Sequence, residues 1–277
     1  MSSLYRDGLL ARAGRNPRGE MPFLDHLEEL RWRIFKAGGA LILGTLVGFY
    51  LIHRFEVLEL LIAPVQPYLP ENGRLNYLSP VTPFFFLLKT SLLTGLILAF
   101  PIVLYQIWAF LSPALEKEEK RVIIPALYMG LVLFAAGAAL AYEIALPVSL
   151  QFLLGIQEDI LQPMLTADDY LSFVVRLMMG FGIIFELPVV VLILSVLGLI
   201  TPAFLRSKRR HAIVIITVVA SLLSPGDLIM VTAIMMIPLI FLYEFSILLS
   251  TMVYRRREKA RTEASSEPPE GSVDREA

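Results

Sequence analysis

The sequence predicts an all-α polytopic membrane protein: six transmembrane helices forming a concave bundle, both termini cytoplasmic, helices 5 and 6 short. Three observations predict it. The 277 residues are 56% hydrophobic and only 18% charged, with a mean hydropathy of +0.69, a composition that suits a multispanning chain better than a water-soluble domain. Residues 170–200, YLSFVVRLMMGFGIIFELPVVVLILSVLGLI, are almost unbroken apolar sequence, and at about 1.5 Å of rise per residue they outrun a hydrocarbon core of roughly 30 Å. Finally, the bases are segregated. Twenty of the 24 Lys and Arg fall in the N-terminal segment, in 112–121, in 201–211 and in the tail, against two in the loops 53–83, 147–169 and 224–227. The base-rich segments belong on the cytoplasmic side. Lys89 and Arg176, near the outer ends of spans two and four, can snorkel.

Residues 1–20 are polar and basic, without the apolar core of a signal peptide. They are expected to be a disordered cytoplasmic extension, and Met21 is a candidate start. Arg12 and Arg15 are not adjacent, so no paired-arginine signal is present. In Pro22–Lys36, the residues Phe23, Leu27, Leu30 and Ile34 recur at helical spacing and make one apolar stripe. That helix should lie on the membrane surface and feed the first span, about 32–52. Residues 53–83 hold five of the 18 prolines, all after Ala63, which predicts an extramembrane loop with a short helix, 54–62, broken at Pro64.

The second span should run over 84–110 with Pro101 inside it. Ser112-Pro113 is an N-cap and first-turn signature, predicting a new helix that becomes span three, 122–146. The same device recurs at Thr201-Pro202. Thr166-Ala-Asp-Asp169 should cap the long fourth span after an outer loop at 147–169. Residues 212–223 supply only about 18 Å of helix for span five, which must sit in a thinned region or lean on neighbours. Ser224-Pro-Gly-Asp227 reads as a tight turn before span six, 228–253, which carries Pro238 and Glu244. The charged, apolar-poor tail 256–277 is expected to be disordered, leaving 21–255 as the membrane domain.

The chain has no cysteine, which excludes disulfides, thiolate nucleophiles and cysteine metal sites. His26, His53 and His211 sit beside charges at span ends and show no metal-ligand spacing. No Walker A loop, cofactor motif, catalytic set or nucleic-acid partner is predicted. Two acidic features remain. Glu186 lies in the middle of span four, where an ionisable group costs about 2.5 kcal/mol or more and faces a bundle interior, a partner or water; the plainer alternative is a neutral carboxyl hydrogen-bonded to a neighbouring helix. Asp25, Glu28 and Glu29 precede span one, and Glu116, Glu118 and Glu119 precede span three. Most such runs are solvated faces paired with their own lysines, but two carboxylates at a dry rim could take two adjacent guanidinium forks. Glu119 lies closest to the membrane.

The segments HLEELRWR (26–33), Ala63-Pro64, SPVTPFF (79–85), PIVLYQIWAFLSPALEKEEKR (101–121), MGFGIIFELPVVV (179–191), GLITPAFLRSKRR (198–210) and LLSPGD (222–227) resemble the twin-arginine protein translocase subunit TatC. The resemblance covers about residues 21–255 in order. It implies a receptor for twin-arginine signal peptides in the cytoplasmic (inner) membrane. With single-span TatA and TatB subunits, as a homo-oligomer within the receptor complex, such a receptor exports folded proteins on the proton-motive force without ATP. By position, the family's signal-peptide contacts fall on Glu29 and Glu119, with Arg31 and Phe110 in support. Its intramembrane glutamate falls on Glu186, and its outer-loop proline and acidic turn on Pro64 and Asp227. Glu118 departs from the basic residue or histidine common there, so it could share the arginine contact; residues 1–20 have no counterpart. Spans five and six, with Ser221, Ser224 and Thr232, are the expected partner surface.

Two rival functions make demands the sequence does not meet. A secondary transporter using Glu186 as its substrate or ion site should show inverted repeats with paired broken helices, and the proline-bearing spans two, four and six show no matching halves. An intramembrane hydrolase needs a Ser/His or paired-Asp set within the spans, which the sequence lacks.

Overall fold

The computed structural model describes residues 23–69, 74–114, 117–155, 164–224 and 229–266. The expected extension 1–20 and Asp227 with its turn lie outside the described residues. Helix α1, Phe23–Arg54, is continuous: the surface helix and the first span expected separately are one rod, since no proline or cap interrupts them. Helix α2, Val57–Ile62, passes into a 3₁₀ turn, Ala63–Tyr68, with Pro64 at its start, because a proline there has no N–H to continue the α ladder. Helix α3 is Thr82–Leu111.

Ser112 does not cap the following helix. It has helical angles (φ −56°, ψ −37°) and closes α3, running into a 3₁₀ turn Ser112–Ala114 before α4 starts at Lys117. The matching signature at Thr201 works as expected: Thr201 is extended (φ −111°, ψ 155°) and its Oγ1 accepts from the Phe204 N–H at 3.2 Å, opening α8, Pro202–Ser207. Thr166 likewise caps its helix, accepting from Asp169 N–H at 3.2 Å while donating to Asp169 Oδ2 at 2.5 Å.

Span three is longer than expected. Helix α4, Lys117–Leu140, continues through a π turn, Ala141–Ala145, into α5, Leu146–Leu154. The first part of the expected loop 147–169, as far as Leu154, is therefore helix, built on the apolar run Leu146-Pro-Val-Ser-Leu150. Span four is divided. Helix α6, Ala167–Ile184, stops and α7, Leu187–Val196, begins, because Pro188 has no N–H to give to Ile184 and its ring would clash with that carbonyl. Gly198 (φ 74°) makes the turn towards α8 that a Cβ would resist.

Helix α9, Arg209–Leu223, has 15 residues and is the short fifth span. Helix α10, Ile229–Ser266, has 38, so the shortness expected of span six does not hold; its apolar part alone is Val231–Arg255. The charged stretch after it, expected to be disordered, continues the helix to Ser266, since Glu, Lys, Arg and Ala are good helix formers. Among the described residues, five helical stretches are long and apolar enough to cross a membrane by length and composition: His26–Arg54, Thr82–Leu111, Ile124–Leu154, Ala167–Val196 and Val231–Arg255. With α9 they make six spans.

The core lies between α5, α6 and α10, where Leu146, Leu171, Val174, Leu177 and Phe181 are fully buried. Helix α1 stands at the edge, packed chiefly along α3. Backbones approach closely there: a Cβ at Gly44 would lie 2.4 Å from the Gly95 oxygen, one at Gly48 2.7 Å from the Ser91 oxygen, and one at Gly95 2.4 Å from the Thr45 nitrogen. Small residues at four-residue spacing allow this contact where apolar burial gives no drive between helices in lipid.

Candidate functional site

At the base-rich end, the start of α1 meets the end of α3. His26 stacks on Phe110 with ring centroids 4.3 Å apart and planes 16° apart. One turn after His26, Glu29 is half-buried; its Oε1 accepts from Arg33 Nε at 2.9 Å and from Arg33 Nη2, while Oε2 lies 3.8 Å from His26 Nδ1. Oε2 is buried and has no hydrogen-bond partner among the described residues. A buried carboxylate oxygen without a donor costs on the order of 1–3 kcal/mol. Glu29 therefore holds one satisfied oxygen and one open acceptor beside an aromatic face.

Helix α4 starts at the same end, at Lys117. It places the backbone of Glu118 and Glu119 in its first turn; their side chains lie outside the described residues. Arg31 is not brought to Glu29. Two residues along a helix is about 200° of rotation, and the Arg31 guanidinium instead sits 5.7 Å over the exposed Phe35 ring. Arg33 takes the supporting place. Its signal was present in the sequence, since Glu29 and Arg33 stand four residues apart, the spacing at which a Glu and a following base pair across one helical turn.

Deeper in the bundle, the break between α6 and α7 presents Glu186. Its N–H bonds to Ile183 O at 3.1 Å, and its carbonyl accepts from both Val189 and Val190 at 3.0 Å. The carboxyl faces α4 and α3: a Cβ at Gly130 would lie 2.8 Å from Glu186 Oε2 and 3.0 Å from Leu104 Cδ2. Both carboxyl oxygens are buried and have no hydrogen-bond partner among the described residues, which overturns the plainer alternative of a carboxyl bonded to a neighbouring helix. On α3, between Leu104 and Phe110, lies Trp108, whose Nε1 is also buried without a partner among the described residues and whose ring packs near Val196, Leu197 and Val253. Nothing in the sequence alone marked Trp108, because an indole donor becomes conspicuous only once its surroundings are known to be apolar.

The opposite end is tied by polar contacts. Tyr142 and Tyr170 donate their hydroxyls to Leu60 O and Leu61 O, at 2.5 and 2.6 Å. Lys89 Nζ donates to Asp168 Oδ1 at 2.6 Å and to Ser172 Oγ at 3.2 Å, so it is a cross-helix tie in addition to any snorkelling role. Pro64 lies half-buried in this region, in the turn that inserts the fully buried Val65. Ser221 is exposed and Ser224 buried. No cluster of three or more His, Asp or Glu suited to a metal is found among the described residues.

Residues 25–238 match the family profile described as Sec-independent protein translocase protein (TatC). The chain is 41% identical over 241 residues to the Sec-independent protein translocase protein TatC of Aquifex aeolicus (strain VF5), covering 86% of this chain and 98% of that one. It is 36% identical over 247 residues to the protein of the same name from Desulforapulum autotrophicum, covering 88% and 89%. Among solved structures it is similar to one described as the crystal structure of the twin arginine translocase receptor TatC, with a TM-score of 0.72 and 42% identity over 83% of this chain and 99% of that one. A second such structure, in DDM, gives 0.72 and 41% over 81% and 99%.

Proposed function

From the premise that this chain belongs to the TatC family of Sec-independent protein translocase proteins, we propose that it is the twin-arginine signal-peptide receptor and core subunit of a translocase. That translocase exports folded proteins across the cytoplasmic membrane on the proton-motive force. The chain is a multi-pass membrane protein; the segregation of its bases argues for both termini being cytoplasmic.

The observation that carries the site assignment is the open, buried Oε2 of Glu29 beside the His26–Phe110 stack. A guanidinium offers planar, charge-assisted donors and stacks on ring faces. One arginine of the signal would donate to Glu29 Oε2 with its flat face towards the rings. The adjacent arginine would be taken by Glu119, with Glu118 in reach of the same charge, at the start of α4. Arg33 keeps Oε1 engaged and so aims Oε2; Arg31, on another face, supports the peptide without touching Glu29. Glu186 then serves a later step: its unpartnered carboxyl, reached past Trp108, stabilises a polar group of the inserted signal peptide or of a TatA or TatB helix. The short α9 and the start of α10 are the proposed surface for those subunits. A homo-oligomer of this chain forms the receptor complex, and Pro64 and Asp227 act as structural or partner positions on the far side. The transporter alternative at Glu186 is not kept, since residues 25–238 match a translocase family.

Site-specific photocrosslinking of a twin-arginine signal peptide to membranes containing this chain tests the assignment, with a paired-lysine peptide as control. Glu29→Ala and Glu119→Ala are each expected to lose about 2–5 kcal/mol of binding, seen as lost crosslinking and lost export. Equal crosslinking of the arginine and lysine peptides, or normal export by both variants, overturns it.

A further inference from the structure

The end of the molecule opposite the base-rich loops contains a cavity of about 560 Å³. Its walls come from the ends of three spans and the loop between them: Ile52 and His53 from the last turn of α1, Phe86 and Leu87 from the first turns of α3, Ala167 from the start of α6, and Ile62 of α2. Span ends mark the boundary between hydrocarbon and headgroups. Exposed Tyr77, Leu78, Phe84 and Phe85 surround the same region, in the manner of aromatic residues at that boundary. The cavity is therefore bordered by lipid rather than by open water alone.

Its lining is apolar apart from a few groups, and two of these are bases. Arg74 is exposed and makes no ion pair or side-chain hydrogen bond among the described residues. His53 has its Nδ1 3.1 Å from Phe49 O, and its Nε2 has no hydrogen-bond partner among the described residues. The acids of α2, Glu56 and Glu59, are not part of the lining. Arg74 also stands against the charge pattern of the chain: of all Lys and Arg, the loops on this side hold only Arg54 and Arg74, and a guanidinium without an ion pair among the described residues, beside an apolar cavity at headgroup depth, complements a phosphate above an acyl chain.

We propose that this cavity seats an anionic phospholipid of the leaflet opposite the base-rich loops, its phosphate on Arg74 and His53 and one acyl chain against Ile62, Phe86 and Leu87. The seat is independent of the signal-peptide site, which lies at the other end of the spans. An occupied seat would fill the gap between α1, α2 and α3 and hold α1, the least enclosed span, against the rest.

The full chain reconstituted in phosphatidylcholine nanodiscs, with a trace of phosphatidylglycerol carrying a diazirine on one acyl chain, provides the test. Irradiation followed by peptide mapping is expected to concentrate label in 52–62 and 74–87. Arg74→Gln should lower that label about fivefold, the effect of one cation near a charged headgroup. Phe86→Trp, which fills the floor and keeps both bases, should lower it too, whereas Arg206→Gln at the other end should leave it unchanged. Label spread evenly over all spans, or equal in Arg74→Gln and the unaltered chain, overturns the proposal. Label abolished by excess inorganic phosphate also overturns it, by showing a site for the free anion instead of a lipid.

Discussion

Glu186 and Glu29 illustrate how far a carboxylate's neighbours decide its use. Both carry buried oxygens without donors, but Glu29 is half satisfied by Arg33 whereas Glu186 is satisfied at neither oxygen. A partnerless buried carboxyl is a stability cost of about 1–3 kcal/mol, tolerated where function needs it. Glu186→Leu is therefore expected to raise the thermal unfolding temperature of the purified chain while abolishing export; a variant that is both less stable and fully active would count against a functional role. The sequence made Glu186 conspicuous, because a lone acid in an apolar run is visible in one dimension. It did not reveal Gly130, which matters only because α4 brings its bare backbone against that carboxyl. Nor did it single out Arg33, which helical rotation puts on the face of Glu29 while Arg31 sits over Phe35.

Elements follow local chemistry until a neighbour intervenes. Thr201 and Thr166 cap their helices as their sequences dictate, yet Ser112, with the same signature, remains in the turn that closes α3. Pro188 breaks span four, while Pro101 and Pro125 sit within continuous helices; the difference is not written in the proline itself. The pairing of α1 with α3 rests on Gly44, Gly48 and Gly95 approaching backbone to backbone. Gly95→Ala should destabilise the chain by about 1–3 kcal/mol through overpacking. Gly38→Ala, in the same α1 but with nothing within 4 Å of its Cβ, should be neutral or gain up to about 1 kcal/mol from helix propensity. Thermal unfolding of the two variants in one detergent separates them, and equal effects would refute a close contact at Gly95.

On the scale of the whole molecule, the spans are tied at both ends and less so between. At the base-rich end the ties are the His26–Phe110 stack, the Arg209–Glu244 ion pair at 2.7 Å and the Tyr243 hydroxyl on Leu205 O at 2.7 Å. At the other end, Tyr142 and Tyr170 grip carbonyls near the end of α2, and the Asn76–Thr166 bridge joins the segment before α3 to the start of α6. Removing both hydroxyls, Tyr142→Phe with Tyr170→Phe, forfeits two hydrogen bonds of about 1 kcal/mol each. Amide exchange in Val57–Tyr68 should then accelerate about tenfold or more while exchange in α6 stays unchanged; unchanged exchange in Val57–Tyr68 would show that Val65 and its apolar neighbours hold α2 alone.

The amino-acid sequence by itself determined the helical class, the number of spans, the short fifth helix and the acids worth watching. Each of these is a consequence of hydropathy, length or charge summed along the chain. Only the tertiary structure decided that span three runs on to Leu154, that span six is long, that Arg33 pairs with Glu29, and that Gly130 lies against Glu186. Those are facts of which surfaces meet, and contact between distant segments depends on close packing that no local window contains.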